Sequence, residues 1–181
     1  MMHPRMCALA LLLAFAVPGR AQDAVNAPVA ELDLKRYSGQ WHEIAHLPMF
    51  FQRQCVGDIT ATYTPRADGN VTVRNACRTK EGTTDVSEGI ARPVAGKPAA
   101  LEVRFAPDWL SWLPMVWADY WVIDLDPEYH WAVVGGPDRD HLWVLSREPE
   151  MNRALFQRIK ARAAAKGYNL RELKVMAPLR P

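Results

Sequence analysis

No stretch of this 181-residue chain is long and apolar enough to cross a bilayer as a helix, which takes about 20 residues; the longest apolar run, Met6 to Val17, is shorter. That run follows basic Arg5 and precedes Pro18, Gly19 and small Ala21, with polar Gln22 and Asp23 next, the layout of an export signal. Cleavage is expected after Ala21. A flexible segment over 22–31 and one domain over 32–178 would remain, and the 49% apolar content supplies that domain with a core. No cysteine directly follows the apolar run, since Cys7 stands at its start, so the sequence predicts no acylated anchor.

Charge of one sign is also missing. The chain has 22 basic and 20 acidic residues, and the signal removes Arg5 and Arg20 but no acid, leaving 20 of each. With no Lys/Arg cluster, this balance excludes the electrostatic footprint of a nucleic-acid binder. Cysteine is scarce: of three, Cys55 and Cys77 survive cleavage, and an even pair in an exported chain is expected to be oxidised. The loop so closed would contribute roughly 3 kcal/mol. A Gly-x-Ser-x-Gly elbow is lacking. His42 and His46 stand four apart in a strand-like stretch with no two further ligands for a tetrahedral metal. No catalytic residue, metal or cofactor is expected.

What is present is a succession of short runs rich in Val, Ile, Thr and aromatics, separated by Gly, Pro, Asn and Asp, the signature of an all-β sandwich or barrel. Eight strands are predicted, near Trp41–Leu47, Val56–Thr64, Val71–Cys77, Thr84–Arg92, Ala99–Phe105, Tyr120–Leu125, Trp131–Gly135 and His141–Arg147. Alternation is clearest where Leu101, Val103 and Phe105 share one face and Glu102 and Arg104 the other. Asp68-Gly69 tolerates the positive φ of a tight turn, so strands two and three form a hairpin with Cys55 and Cys77 together at its far end. One helix is predicted, with Pro149 in its first turn, Leu155, Phe156, Ile159 and Ala163 on one side and Gly167 at its end. It should pack outside the strands, followed by a short strand around Leu173 to Met176.

That order, and the residues at its landmarks, resemble the lipocalin family, in particular its bacterial outer-membrane branch, with the plant temperature-induced lipocalins and apolipoprotein D. The first landmark is Leu32-Asp33-Leu34-Lys35-Arg36-Tyr37-Ser38-Gly39-Gln40-Trp41, similar to the family's opening turn with its Gly-x-Trp. The second is Asp126 ahead of Pro127-Glu128-Tyr129, at the place of the family's turn between strands six and seven, where only the Asp matches cleanly. The third is Gly136-Pro137-Asp138-Arg139-Asp140 leading into Leu142-Trp143-Val144-Leu145-Ser146-Arg147. The resemblance implies an eight-stranded antiparallel up-and-down barrel with one C-terminal flanking α-helix and a short final strand. Gly39, Trp41, Asp126 and Arg147 would close one mouth, the Arg147 guanidinium lying over the Trp41 indole.

An eight-stranded barrel has room for its own side chains or one small ligand. The candidates for its interior are Ala45, Ala61, Leu101, Val103, Phe105, Tyr120, Val122 and Trp143, with Glu43 beside Trp41 as an inward carboxylate needing a partner such as Tyr120 or a ligand headgroup. Periodicity alone leaves a filled core and a pocket equally open. The resemblance implies a pocket that binds a lipid, a fatty acid or lysophospholipid, for storage or transport in the envelope. An enzyme acting on a barrel-bound lipid, or an interaction protein with a filled barrel, are the alternatives. The segment 107–117 carries Trp109, Trp112 and Trp117 against one charge, and is expected to meet a membrane surface peripherally, seal a homodimer or cover its own barrel mouth. The expected location is the periplasm, with association to the outer membrane open.

Overall fold

The computed structural model describes residues 24–181; the expected signal lies outside the described residues. Eight strands form the body: β1 (Gly39–His46), β2 (Cys55–Pro65), β3 (Val71–Thr79), β4 (Thr84–Val94), β5 (Lys97–Arg104), β6 (Ala118–Leu125), β7 (Trp131–Gly135) and β8 (Leu142–Ser146). Each pairs antiparallel with its successor and β8 pairs back onto β1, so the sheet closes into a barrel without exposed edges. One turn of helix, α1 (Leu34–Tyr37), precedes β1, its N-terminus capped by the Asp33 carboxylate, which accepts from the amides of Lys35 and Arg36. The expected hairpin is β2–β3, and the Cys55–Cys77 disulfide joins its two strands with Cα atoms 5.5 Å apart.

Two apolar cores result, one on each side of the barrel wall. The inner one gathers Tyr37, Trp41, Tyr63, Val71, Val73, Ala91, Ala99, Leu101, Tyr120, Val122, Ala132, Val134 and Leu145. The outer one lies beneath α2 (Arg153–Ala165), where Phe156, Ile159 and Ala163 pack on Ile44, Ile123, Val133 and Val144. The predicted stripe on the helix is thus the buried one. Its start differs from expectation: Pro149 stands ahead of the helix, and Asn152 caps it by accepting from the Leu155 amide at 3.0 Å.

Strict alternation along the wall breaks at bulges in several strands, two of them beside the outer core. A bulge between Glu43 and Ala45 lets β1 stay paired with β8 while its inward phase shifts, so Ala45 joins the outer core and His46 turns inward to reach Glu43. A second bulge, between Val122 and Asp124, keeps Asp124 on the outer side of the wall together with Ile123. There Arg162 of α2 forms an ion pair with Asp124, whose pKa is nevertheless raised by burial.

The upper end of β1 also carries the final segment, since β10 (Lys174–Val175) pairs with Ala45 and His46. A small parallel pair, β9 (Met151–Asn152) with β11 (Leu179–Arg180), ties the C-terminus to the start of α2. The segment from Ala24, expected to be loose, lies against the barrel: Ala24 donates to Ala165 O, Val29 to Val122 O, and the Asn26 amide to Gly136 O.

Candidate ligand-binding site

At one end the barrel is plugged. Trp41 is fully buried, its indole N–H donating to Tyr37 O at 2.8 Å, and the Arg147 guanidinium lies 3.8 Å from its ring centroid. The same guanidinium donates to the carbonyls of Gln40, Arg36 and Ser38, and more distantly to Tyr129 O. One cation thereby gathers α1, the start of β1 and the β6–β7 turn. Partial burial lowers the Arg147 pKa from the ordinary guanidinium value. Gly39 sits at φ +91°, a conformation that L side chains rarely adopt, with Arg147 close above it. Asp126 acts at one remove: it folds the β6–β7 turn by accepting from the His130 amide and ring, and that turn presents Tyr129 to Arg147 and to the Asp33 amide.

Above this plug the wall is apolar, lined by Leu101, Val122 and Leu145, with Ala61, Val103 and Trp143 packed against them but only partly buried. Tyr120 reaches across to two phenols that the sequence had not marked, Tyr37 and Tyr63, in hydrogen bonds of 2.8 and 2.7 Å. Burial raises the pKa of all three well above the ordinary phenol value.

Glu43 does point inward, but Tyr120 is not its partner. One carboxylate oxygen meets His46 Nδ1 and the other accepts from the Gln52 amide at 2.8 Å, while Gln52 Oε1 accepts from the Trp143 indole at 3.1 Å. This buried chain fixes the short 3-10 turn Phe50–Gln52 over the wall at the open end. His42, on the opposite face, takes no part. Among the described residues no group of three or more His, Cys, Asp and Glu is gathered as for a metal.

The open mouth is ringed by apolar side chains. Phe105 leans on Gly89, where a Cβ would fall 2.8 Å from the Phe105 ring, so that close approach requires glycine. In the β5–β6 loop Trp109, Trp112 and Met115 are 73%, 75% and 84% exposed, and Phe50 of the neighbouring loop is 75% exposed. Trp117 differs from its two companions. It lies under the guanidiniums of Arg92 and Arg104, at 3.9 and 5.2 Å from its ring centroid, and its indole donates to Ser111 O. It anchors the loop, whereas Trp109 and Trp112 project from it.

Of the predicted interior residues, then, Ala61, Leu101, Val103, Tyr120, Val122, Trp143 and Glu43 are brought together inside, Phe105 stands at the rim, and Ala45 faces the helix. Tyr37, Tyr63, His46 and Gln52 were missed. Tyr63 shares the alternating face of Ala61 and was legible in principle; the roles of His46 and Gln52 depend on the bulge and on a loop contact that no local pattern encodes.

A closed barrel, plugged at one end by an Arg–Trp stack and open at the other onto an apolar inner wall, is the architecture of a small-molecule-binding protein. The chain belongs to the lipocalin family, whose members are in general binding and transport proteins for small hydrophobic ligands: the family described as Lipocalin-like domain matches residues 32–178. It is 37% identical over 148 residues to temperature-induced lipocalin-1 of Arabidopsis thaliana, covering 80% of this chain and 78% of the relative. To the outer membrane lipoprotein Blc of Escherichia coli it is 38% identical over 156 residues, covering 84% and 81%. Among solved structures, insecticyanin from the tobacco hornworm superposes with a TM-score of 0.64 at 19% identity, over 86% of this chain and 85% of that one, a likeness of fold.

Proposed function

We propose that this protein binds one acyl lipid, a lysophospholipid or a fatty acid, inside its barrel and carries it within the bacterial envelope without performing chemistry on it. The observation behind this reading is the gradient of accessibility along the inner wall. Side chains at the plug are sealed, whereas Ala61, Val103 and Trp143 are only partly buried although they face inward. A barrel filled by its own side chains would bury them all. An acyl chain entering from the mouth gains about 0.8 kcal/mol per buried methylene, so no ionic contact is needed to hold it. The relatives named as outer membrane lipoproteins support a periplasmic location, in association with the outer membrane. Native mass spectrometry of protein purified without detergent should find lipid at one per chain. A barrel that emerges empty and refuses added lipid would favour an interaction protein, and a lipid converted on incubation would favour an enzyme.

The mouth face docks on a lipid surface during exchange. Its exposed side chains surround the opening through which a lipid must pass, and tryptophan favours the membrane interface. Replacing Trp112 by Ser should lower the fraction of protein that floats with liposomes while leaving thermal stability unchanged, since the side chain is 75% exposed. Flotation equal to that of the wild type, together with a dimer in sedimentation, would assign this face to a second copy of the chain instead.

A further inference from the structure

The phenols at the barrel floor leave one proton unaccounted for. Tyr37, Tyr63 and Tyr120 each bring one O–H, and two hydrogen bonds join them: Tyr120 donates to Tyr63 at 2.7 Å, and Tyr37 and Tyr120 lie 2.8 Å apart. Because the single proton of Tyr120 is committed to Tyr63, Tyr37 must be the donor to Tyr120. The proton left over belongs to Tyr63. Among the described residues nothing accepts it, although Tyr63 is only 5% exposed. A buried donor without an acceptor is costly, and a ligand that supplies the acceptor recovers that cost. Burial keeps all three phenols protonated, so the donor persists at any ordinary pH.

We infer that Tyr63 is the polar anchor of the cavity, and that its hydroxyl donates to a neutral oxygen of the ligand, a carbonyl, ether or hydroxyl oxygen, in preference to an ionised carboxylate. The inference rests on the carrier reading above and narrows it. The preference for a neutral acceptor follows from the charges around the phenol. Glu43 is the carboxylate that acts electrostatically on Tyr63, and a second anion beside it in an apolar barrel would be repelled. His46 is bonded to Glu43 and is not free to meet another carboxylate. The cation at the floor, Arg147, lies over the Trp41 ring with its N–H groups committed to backbone carbonyls. Because Tyr63 stands at the plugged floor, beside Gly39 and Tyr37, the oxygen it meets is one carried at the end of the ligand that enters first, whereas the ester of a lysophospholipid held chain-first stays nearer the mouth.

The test uses three probes of matched length, n-tridecane, 2-tridecanone and dodecanoate at pH 8, each titrated against the whole cleaved protein by displacement of a fluorescent lipid. The wild type should bind the ketone roughly 5- to 30-fold more tightly than the alkane, the worth of one hydrogen bond to a buried donor, and more tightly than dodecanoate. Tyr63→Phe should bring ketone and alkane to parity while still binding the alkane, which shows that the barrel has folded. Glu43→Gln, which keeps an amide for hydrogen bonding, should raise the affinity for dodecanoate, and this arm and the wild-type series stand even if Tyr63→Phe fails to fold. A ketone preference that survives Tyr63→Phe would overturn the inference. So would dodecanoate as the tightest wild-type ligand. Alkane binding with no preference for the ketone would overturn the inference alone and leave the carrier standing; failure to bind any of the three would overturn the carrier reading as well.

Discussion

Replacing Trp41 by Ala is expected to lower the free energy of unfolding by about 3–5 kcal/mol, the range for truncating a fully buried aromatic. Three interactions disappear together. The indole is completely buried, it stacks between the Arg147 guanidinium at 3.8 Å and the Tyr37 ring at 4.9 Å, and its N–H satisfies Tyr37 O. The residue also seals the floor of the barrel, so the variant should admit water to the inner core. Arg147→Lys is the companion change. An ammonium cannot stack as a plane or reach several carbonyls with a fixed fork, and the loss should be about 1–2 kcal/mol, near the worth of the cation–π contact. Urea unfolding gives both values as shifts of the midpoint at constant slope. A Trp41→Ala variant within about 1 kcal/mol of wild type would mean that the plug is ornamental.

His46→Leu should be nearly as damaging, by about 3–5 kcal/mol, because it strips a buried carboxylate of its partner. The side chains of His46 and Glu43 are 4% and 5% exposed, so water cannot take over the lost role, and Gln52 can satisfy only the other oxygen. The decisive comparison is the double variant Glu43→Leu/His46→Leu. With both polar groups gone there is no stranded charge, and stability should recover most of what the single change loses. Additive losses would show that the two side chains matter only through their separate packing. Because Glu43 also holds Gln52, and Gln52 holds Trp143, both variants should loosen the Phe50–Gln52 turn at the mouth.

The strand order, the β2–β3 hairpin, the buried stripe of α2 and the Trp41–Arg147 stack were legible because each is written in a local pattern: alternation, an Asp-Gly turn, a 3.6-residue period, or a landmark resembling known relatives. Ala45 was misplaced for an equally definite reason. The bulge after Glu43 inserts one residue, and one residue reverses which face every later side chain occupies. Alternation read through it puts Ala45 inside and His46 outside, the opposite of the fold. Trp117 was grouped with Trp109 and Trp112 by proximity in the chain. Its separate role comes from Arg92 and Arg104, which the strands β4 and β5 bring to it from 25 and 13 positions away.

By itself the sequence determined the succession of eight strands, the outer helix and the cysteine pairing, since these depend on composition, period and spacing along the chain, while the landmarks resembling lipocalins supplied the family and with it the closed barrel in place of a sandwich. Only the tertiary structure decided where the alternation of the wall breaks, which side chains share a polar chain at the mouth, and that one phenol keeps a proton unspent. Those are counts of partners between residues distant in sequence. Tyr37 and Tyr120 stand 83 positions apart, and Tyr63 and Tyr120 57 apart, so no window along the chain contains the hydrogen bonds that join them.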